Sequence, residues 1–300
     1  MTGTVAESSL RSWLERALSA TPVRQLFERR QTAYVVGYRL ADGRQVVVKA
    51  RHDPVRRVAA CLAVQSGLFA SNYPCARPLT DAAIVDGLTV HAEEFREPGD
   101  RMRGDDLRTA RAFAEAFAEL MGRLDRQAVV ADPEVLTPPV WIGWWRQRPW
   151  SPTSRVPAVL WEAAGRVRAR LARYDGRPVV GHADWESQNL RWTGNRLAIA
   201  YDWDSLAWQP EPVLVGAAAA SFPSDLQPVV ASVAASASFL QEYQEVRGRE
   251  FTADELEVAW AAGLLPVLFN ARNEVLEGRR PLILPELAEQ ADERLRLAGA

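Results

Sequence analysis

Residues 179–204 read VVGHADWESQNLRWTGNRLAIAYDWD. Val179 and Val180 begin as a strand, and Gly181, His182, Ala183 and Asp184 then break the apolar run, so the chain leaves the core there. A short loop ends at Asn189, and two apolar segments, 190–192 and 197–203, follow it across the turn Thr193-Gly194-Asn195. Two such runs about a glycine predict a β-hairpin, with Gly194 supplying the positive φ of its turn. The returning strand should bring Asp202 back to the end where Asp184 and Asn189 sit. Two carboxylates and an amide gathered this way repel or waste solvation unless a cation lies among them, and hard oxygen ligands suit Mg²⁺. Asp204, two residues beyond Asp202, is either a further metal contact or a solvated acid at a strand end.

The order His182, Asp184, Asn189 (HxDxxxxN) followed by Asp202 in an Asp-Trp-Asp tripeptide resembles the aminoglycoside phosphotransferase and choline kinase-like family, relatives of the protein kinases. The resemblance implies an α+β, two-lobed protein-kinase-like fold, with a nucleotide-binding lobe over 1–96 and a larger, mostly helical catalytic and acceptor-binding lobe over 97–300. It implies Asp184 as the catalytic base toward a substrate hydroxyl, His182 as its support, and Asn189 and Asp202 as ligands of Mg²⁺ on the phosphates of ATP or GTP. The implied reaction moves a γ-phosphoryl group to a hydroxyl of a small molecule, either an aminoglycoside-type antibiotic or an ordinary metabolite such as an amino alcohol or sugar. The alternative from another class is a nucleotide-binding pseudokinase without turnover.

Upstream, Leu10, Trp13, Leu14 and Leu18 share one helical face, and 23–27, 33–40 and 45–50 read as strands with Asp42-Gly43 as the second turn. Lys49 ends the third strand, where the resemblance places the lysine that grips the nucleotide's α and β phosphates. Two departures stand out. The first turn, Glu28-Arg29-Arg30-Gln31-Thr32, has no glycine to let backbone approach a phosphate. The helix after Lys49, opened by Asp53 as N-cap and Pro54 at its first position, with Val55, Val58, Ala59 and Leu62 facing inward, carries no acid. No Asp or Glu occurs between Val55 and Thr80, so Lys49 bonds Gln65, or a carboxylate from elsewhere, or phosphate alone. Residues 83–85 and 88–95 read as two more strands about Asp86-Gly87, and Glu94, Phe95 and Arg96 resemble the family's hinge, whose backbone bonds the adenine edge.

Downstream, a helix is expected over 106–124 with Leu107, Ala110, Phe113, Ala114, Phe117, Leu120 and Met121 in helical period. Trp141, Trp144, Trp145 and Trp150, interleaved with Arg146 and Arg148, either line a pocket for a flat substrate or dock a loop by packing, and packing is the reading favoured. A helix over 156–174 should expose Arg166, Arg168, Arg170 and Arg173. Helices over 213–222, 226–247 and 253–277 follow, the last opened by the capping box Thr252-x-x-Glu255. Asp202 stands too close to Gln209-Pro210-Glu211-Pro212 for a protein-kinase activation segment, which favours a small-molecule acceptor.

Composition agrees with a globular enzyme: 300 residues, 48% hydrophobic and 25% charged, enough for two core-bearing units. A formal charge of −2 offers no global basic surface to hold nucleic acid by its phosphates. Cys61 and Cys75 have no metal or disulfide spacing, which fits a reducing cytoplasm. The first twenty residues lack a signal-peptide apolar core, and no window has the length to span a bilayer, so a cytoplasmic chain without membrane or nucleic-acid partners is expected.

Overall fold

The structure, a computed structural model, describes residues 5–30, 33–53, 56–97, 99–127, 133–146 and 155–300; Gln31, Thr32, Pro54, Val55, Arg148 and Trp150 of the reading above lie outside the described residues. The chain divides into two compact units. The first comprises Met1–Pro98, Gln127–Leu136 and Ile199–Asp204, and the second Gly99–Arg126, Thr137–Ala198 and Ser205–Ala300.

In the first unit, helix α1 (Glu7–Leu18) precedes strands β1 (Pro22–Arg30), β2 (Tyr34–Leu40) and β3 (Gln45–Arg51), then helix α2 (Arg57–Ala70) and strands β4 (Ala83–Val85) and β5 (Leu88–Glu94). They form one antiparallel sheet in the order β1-β2-β3-β5-β4. Strand period 2 divides the sheet's residues between its faces. Val46, Val48, Ala50, Val90 and Ala92 join Leu10, Trp13 and Leu14 of α1 in one core. Lys49, Arg51, His91 and Glu93 alternate with them and occupy the opposite face. Two local readings are corrected. Glu28, Arg29 and Arg30 belong to β1, because Arg30 pairs with Tyr34, rather than to a turn. Asp53 does accept from the amides of Arg57 and Val58, at 2.9 Å each, but Arg56, in the left-handed region at φ 57°, is the residue that starts α2. The helix buries Val58 and Leu62 as read, together with Cys61, Val64, Gln65 and Leu68, while Ala59 is exposed.

The second unit contains α3 (Leu107–Gln127), the single turn α4 (Val140–Gly143), α5 (Ala158–Leu171), β6 (Pro178–His182), β7 (Leu190–Thr193), β8 (Arg196–Ala200, whose last two residues belong to the first unit), β9 (Leu206–Pro210), α6 (Glu211–Ser221), α7 (Val233–Arg247), α8 (Ala253–Glu277) and α9 (Ile283–Leu297). Strand β6 pairs antiparallel with β9, and β7 with β8. The hairpin turn has Gly194 at φ 61°, the left-handed conformation expected of it. On α3, Ala110, Phe113, Ala114, Phe117, Leu120 and Met121 are buried as read, whereas Leu107 is exposed at the helix start. The capping box of α8 is present in both directions. Residues 226–232 are not helical; Ser224 exchanges hydrogen bonds with Val229, and Ser232 caps α7 by accepting from the Ala235 amide. Arg170 is not a solvated residue: it is buried and bonds Asp254 and Glu257 across to α8. Trp144 and Trp145 are buried, and Trp144 donates to the Leu265 carbonyl at 3.0 Å, which favours packing over a pocket.

Helix α6 is buried along its whole length, and its crossing with α8 depends on Gly216. A Cβ there would overlap the Ala259 carbonyl, while Gly263 across the contact faces the Gly216 carbonyl. Gly216→Ala should therefore force the helices apart and lower stability by about 1–3 kcal/mol, read as a lower urea midpoint at unchanged slope.

Candidate active site

The loop between β6 and β7 belongs to the second unit and carries Asp184 and Asn189. Strand β6 ends at His182, which is fully buried, and the Asp184 amide donates to His182 Nδ1 at 3.2 Å. That bond makes Nδ1 an acceptor, so the imidazole keeps the form unprotonated at this nitrogen. Next, the Trp185 indole drops into the core: it is 1% exposed, lies 5.1 Å from the Phe117 ring and donates to the Phe113 carbonyl at 3.0 Å. A 3₁₀ turn over Ser187–Asn189 is held by Ser187 and Gln188 amides donating to the carbonyls of Phe222 and Ser224. Asn189 Nδ2 then donates to both the Asp184 carbonyl (2.9 Å) and Asp184 Oδ2 (2.7 Å). With both amide hydrogens so used, Asn189 Oδ1 is left as an oriented oxygen donor. Asp184 and Asn189 thus meet as the sequence suggested, with His182 bracing the Asp184 amide.

Asp202 and Lys49 belong to the first unit. The segment 199–204 is tied there by the Ala200 amide donating to the Pro74 carbonyl and by Trp203, buried against Tyr73 with ring centroids 5.8 Å apart. Between these anchors Asp202 takes φ 58°, a left-handed value that aspartate tolerates better than bulkier residues. Asp204 is neither on a strand nor solvated, which corrects the strand-end alternative for its position. It sits in a 3₁₀ turn, 8% exposed, its carboxylate 3.2 Å from Arg51 and its carbonyl accepting from Arg57. Burial would raise its carboxyl, but Lys49, His91 and Arg51 outweigh that and lower it to about 2.

Lys49 is 8% exposed and reaches Glu93 Oε1 at 3.1 Å, a partner on β5 rather than on α2. Burial acts to lower the ammonium's pKa, yet Glu93, Asp204 and Asp202 together hold it above its ordinary value. Gln65 donates to the other oxygen of Glu93 at 3.1 Å. Of the possibilities open for Lys49, the carboxylate from elsewhere is therefore the one realised, with Gln65 bonded to that carboxylate. Glu93 was overlooked as a site residue because it adjoins the expected hinge. The readable signal was the polar stripe Thr89, His91, Glu93 at period 2, on the face that register gives to Lys49.

At the expected hinge, the Phe95 amide donates to Gln45 and the Arg96 carbonyl accepts from Tyr201 at 3.2 Å, so these two groups are engaged within the chain. A hollow of about 480 Å³ touches Glu94, Phe95 and Arg96, but its other walls are Gly43–Val46, Phe69, Arg77, Leu79 and Glu97, away from Lys49. Among the described residues no cluster of three or more His, Cys, Asp or Glu is placed to hold a metal. Cys61 and Cys75 are buried free thiols, each pushed up to about 12 chiefly by burial, and so are inert. Among the described residues no helix is long and apolar enough to cross a membrane.

No protein-family model matches the sequence, and no curated protein matches it. Solved structures do resemble it along nearly the whole chain. An amicoumacin kinase in complex with AMP-PNP and Ca²⁺ superposes with a TM-score of 0.66 at 13% identity, over 95% of this chain and 92% of that one. A spectinomycin phosphotransferase in complex with ADP and spectinomycin gives 0.60 at 9% identity, over 99% and 94%. A macrolide 2′-phosphotransferase from Brachybacterium faecium gives 0.58 at 17% identity, over 91% and 94%. At such identities the likeness is one of fold, and the fold is the protein-kinase-like α+β fold that residues 179–204 suggested.

Proposed function

We propose that this chain is a small-molecule kinase that transfers the γ-phosphoryl group of ATP or GTP to a hydroxyl. The observation that carries the reading is the Asp184–Asn189 pair: a carboxylate braced through its backbone by buried His182 and bonded by the amide nitrogen of Asn189. In this reading the acceptor's O–H proton passes to Asp184 as the new O–P bond forms and the bond to the leaving nucleoside diphosphate breaks. Asn189 and Asp202 hold Mg²⁺, which when bound neutralises charge on the phosphates. Lys49 contacts the α and β phosphates, and the hinge over Glu94, Phe95 and Arg96 faces the base through backbone groups other than the Phe95 amide and Arg96 carbonyl, which are bonded within the chain. Catalysis of this kind is positioning and charge neutralisation, with little covalent chemistry for the protein to perform. The named substrates of the fold neighbours make antibiotic hydroxyls the first acceptor class to try, with amino alcohols and sugars second. The Lys49–Glu93 pair weakens the pseudokinase alternative, which had rested partly on a lysine without a carboxylate.

The test is the melting temperature with Mg-ATP or Mg-GTP, using Asp202→Ala as control. A ligand at a hundred times its Kd adds about 2.7 kcal/mol, so a rise on the order of 5–10 °C is expected for the wild type. The rise should require Mg²⁺ and vanish in Asp202→Ala; no rise with either nucleotide at saturation would remove the reading.

A further inference from the structure

A kinase-like lysine is ordinarily paired from the helix that follows it, and here that helix has no acid to offer. Lys49 nonetheless lies 8% exposed, where an ammonium without a counter-charge would be strongly destabilised. Register explains the solution. On the β3–β5 ladder Lys49 stands opposite His91 and Val47 opposite Glu93, so Glu93 is the diagonal same-face neighbour of Lys49. Its Oε1 lies 3.1 Å from the ammonium and the residue is 4% exposed.

The second oxygen is held as firmly as the first. Gln65, 1% exposed on α2, donates through Nε2 to Glu93 Oε2 at 3.1 Å and through the same nitrogen to the Ala76 carbonyl at 2.9 Å. Both amide hydrogens are thereby used, and the group that faces the carboxylate can only be a donor. A glutamate at 65 beside Glu93 would be two acceptors in contact with one lysine between them. The acid therefore sits on the strand and its amide counterpart on the helix. His91, opposite Lys49, has neither ring nitrogen bonded, so it does not compete for the carboxylate.

We infer that Glu93 is the positioning carboxylate for Lys49, that Gln65 locks it, and that the lysine's charge pair has thus been transposed from helix to strand. The inference rests on the nucleotide-binding reading, because what Lys49 is positioned toward is the nucleotide's phosphates. It also separates positioning from mere structural support. A residue that only keeps the unit folded affects all of the nucleotide's contacts, whereas one that aims Lys49 affects the phosphates and spares the nucleoside.

Calorimetric titration of Mg-ATP and of adenosine into the wild type, Glu93→Gln, Glu93→Asp and Gln65→Met tests this. Glu93→Gln should weaken Mg-ATP by about tenfold or more while adenosine stays within about twofold. Gln65→Met, which fills the same space but removes the donor to Glu93 Oε2, should show the same selective loss in milder form. If Glu93→Gln does not fold, Glu93→Asp, which keeps the charge and withdraws it by one methylene, should show the same selective loss in milder form. Equal weakening of both ligands, or unchanged Mg-ATP binding in Glu93→Gln, would overturn the assignment, and unchanged binding in Gln65→Met would overturn the lock. A wild type that binds neither ligand would instead remove the nucleotide reading itself.

Discussion

Asp184→Asn is expected to lose turnover by about 10²–10⁴-fold while keeping Mg-ATP affinity within about threefold. The substitution retains an oxygen where Asn189 Nδ2 now donates at 2.7 Å and leaves the backbone bond to His182 in place, so the loop should hold its shape. On the proposed mechanism, what it removes is the capacity to take the acceptor's proton. Asp184→Ala should lose as much turnover but also release Asn189, and its affinity for Mg²⁺-bound nucleotide should fall further than that of the asparagine variant. Rates from steady-state ADP release, set beside calorimetric affinities, check both variants. An asparagine variant with wild-type turnover would take the base away from Asp184.

Trp185→Ala carries the largest expected effect on stability. The indole is buried, rests on Phe117 and edge-on against His182 at 5.7 Å, and its Nε1 donates to the Phe113 carbonyl at 3.0 Å. Truncation leaves a cavity under the catalytic loop and should cost about 3–5 kcal/mol, a fall in melting midpoint on the order of 10 °C. Because the residue adjoins Asp184, the folded fraction should also turn over more slowly. Trp185→Phe, which retains the ring contacts and loses the N–H, should show a smaller fall in midpoint. Equal stability of the alanine variant and the wild type by urea unfolding would mean that the loop is anchored by its backbone bonds alone.

What could be read from sequence was local. Gly194, the loop from His182 to Asn189 and the capping box at Thr252 each depend on residues within a few positions of one another, and each stands as read. What was missed depends on partners distant in sequence. Arg170 resembles any arginine on a helix until Asp254 and Glu257, more than eighty residues away, are folded against it. Asp204 reads as a strand-end acid until Arg51 is brought to it from β3. Ala59 is exposed because it stands one residue, about 100°, round the helix from Val58, off the face that Val58, Cys61, Leu62, Gln65 and Leu68 share. Glu93 is the intermediate case: its partner lies on the adjacent strand, and the alternation of polar residues on β5 carries the information once the register with β3 is known.

The measurement that bears most directly on the central claim is phosphoryl transfer itself. The protein is incubated with Mg²⁺ and γ-labelled ATP or GTP in the presence of aminocyclitol, macrolide, amino-alcohol and sugar hydroxyl acceptors, and the products are separated by mass. The account predicts nucleoside diphosphate together with one acceptor class that has gained the labelled phosphoryl group, dependent on Mg²⁺ and lost in Asp184→Asn. Bound nucleotide with no diphosphate formed above the buffer control, whatever the acceptor, would contradict it.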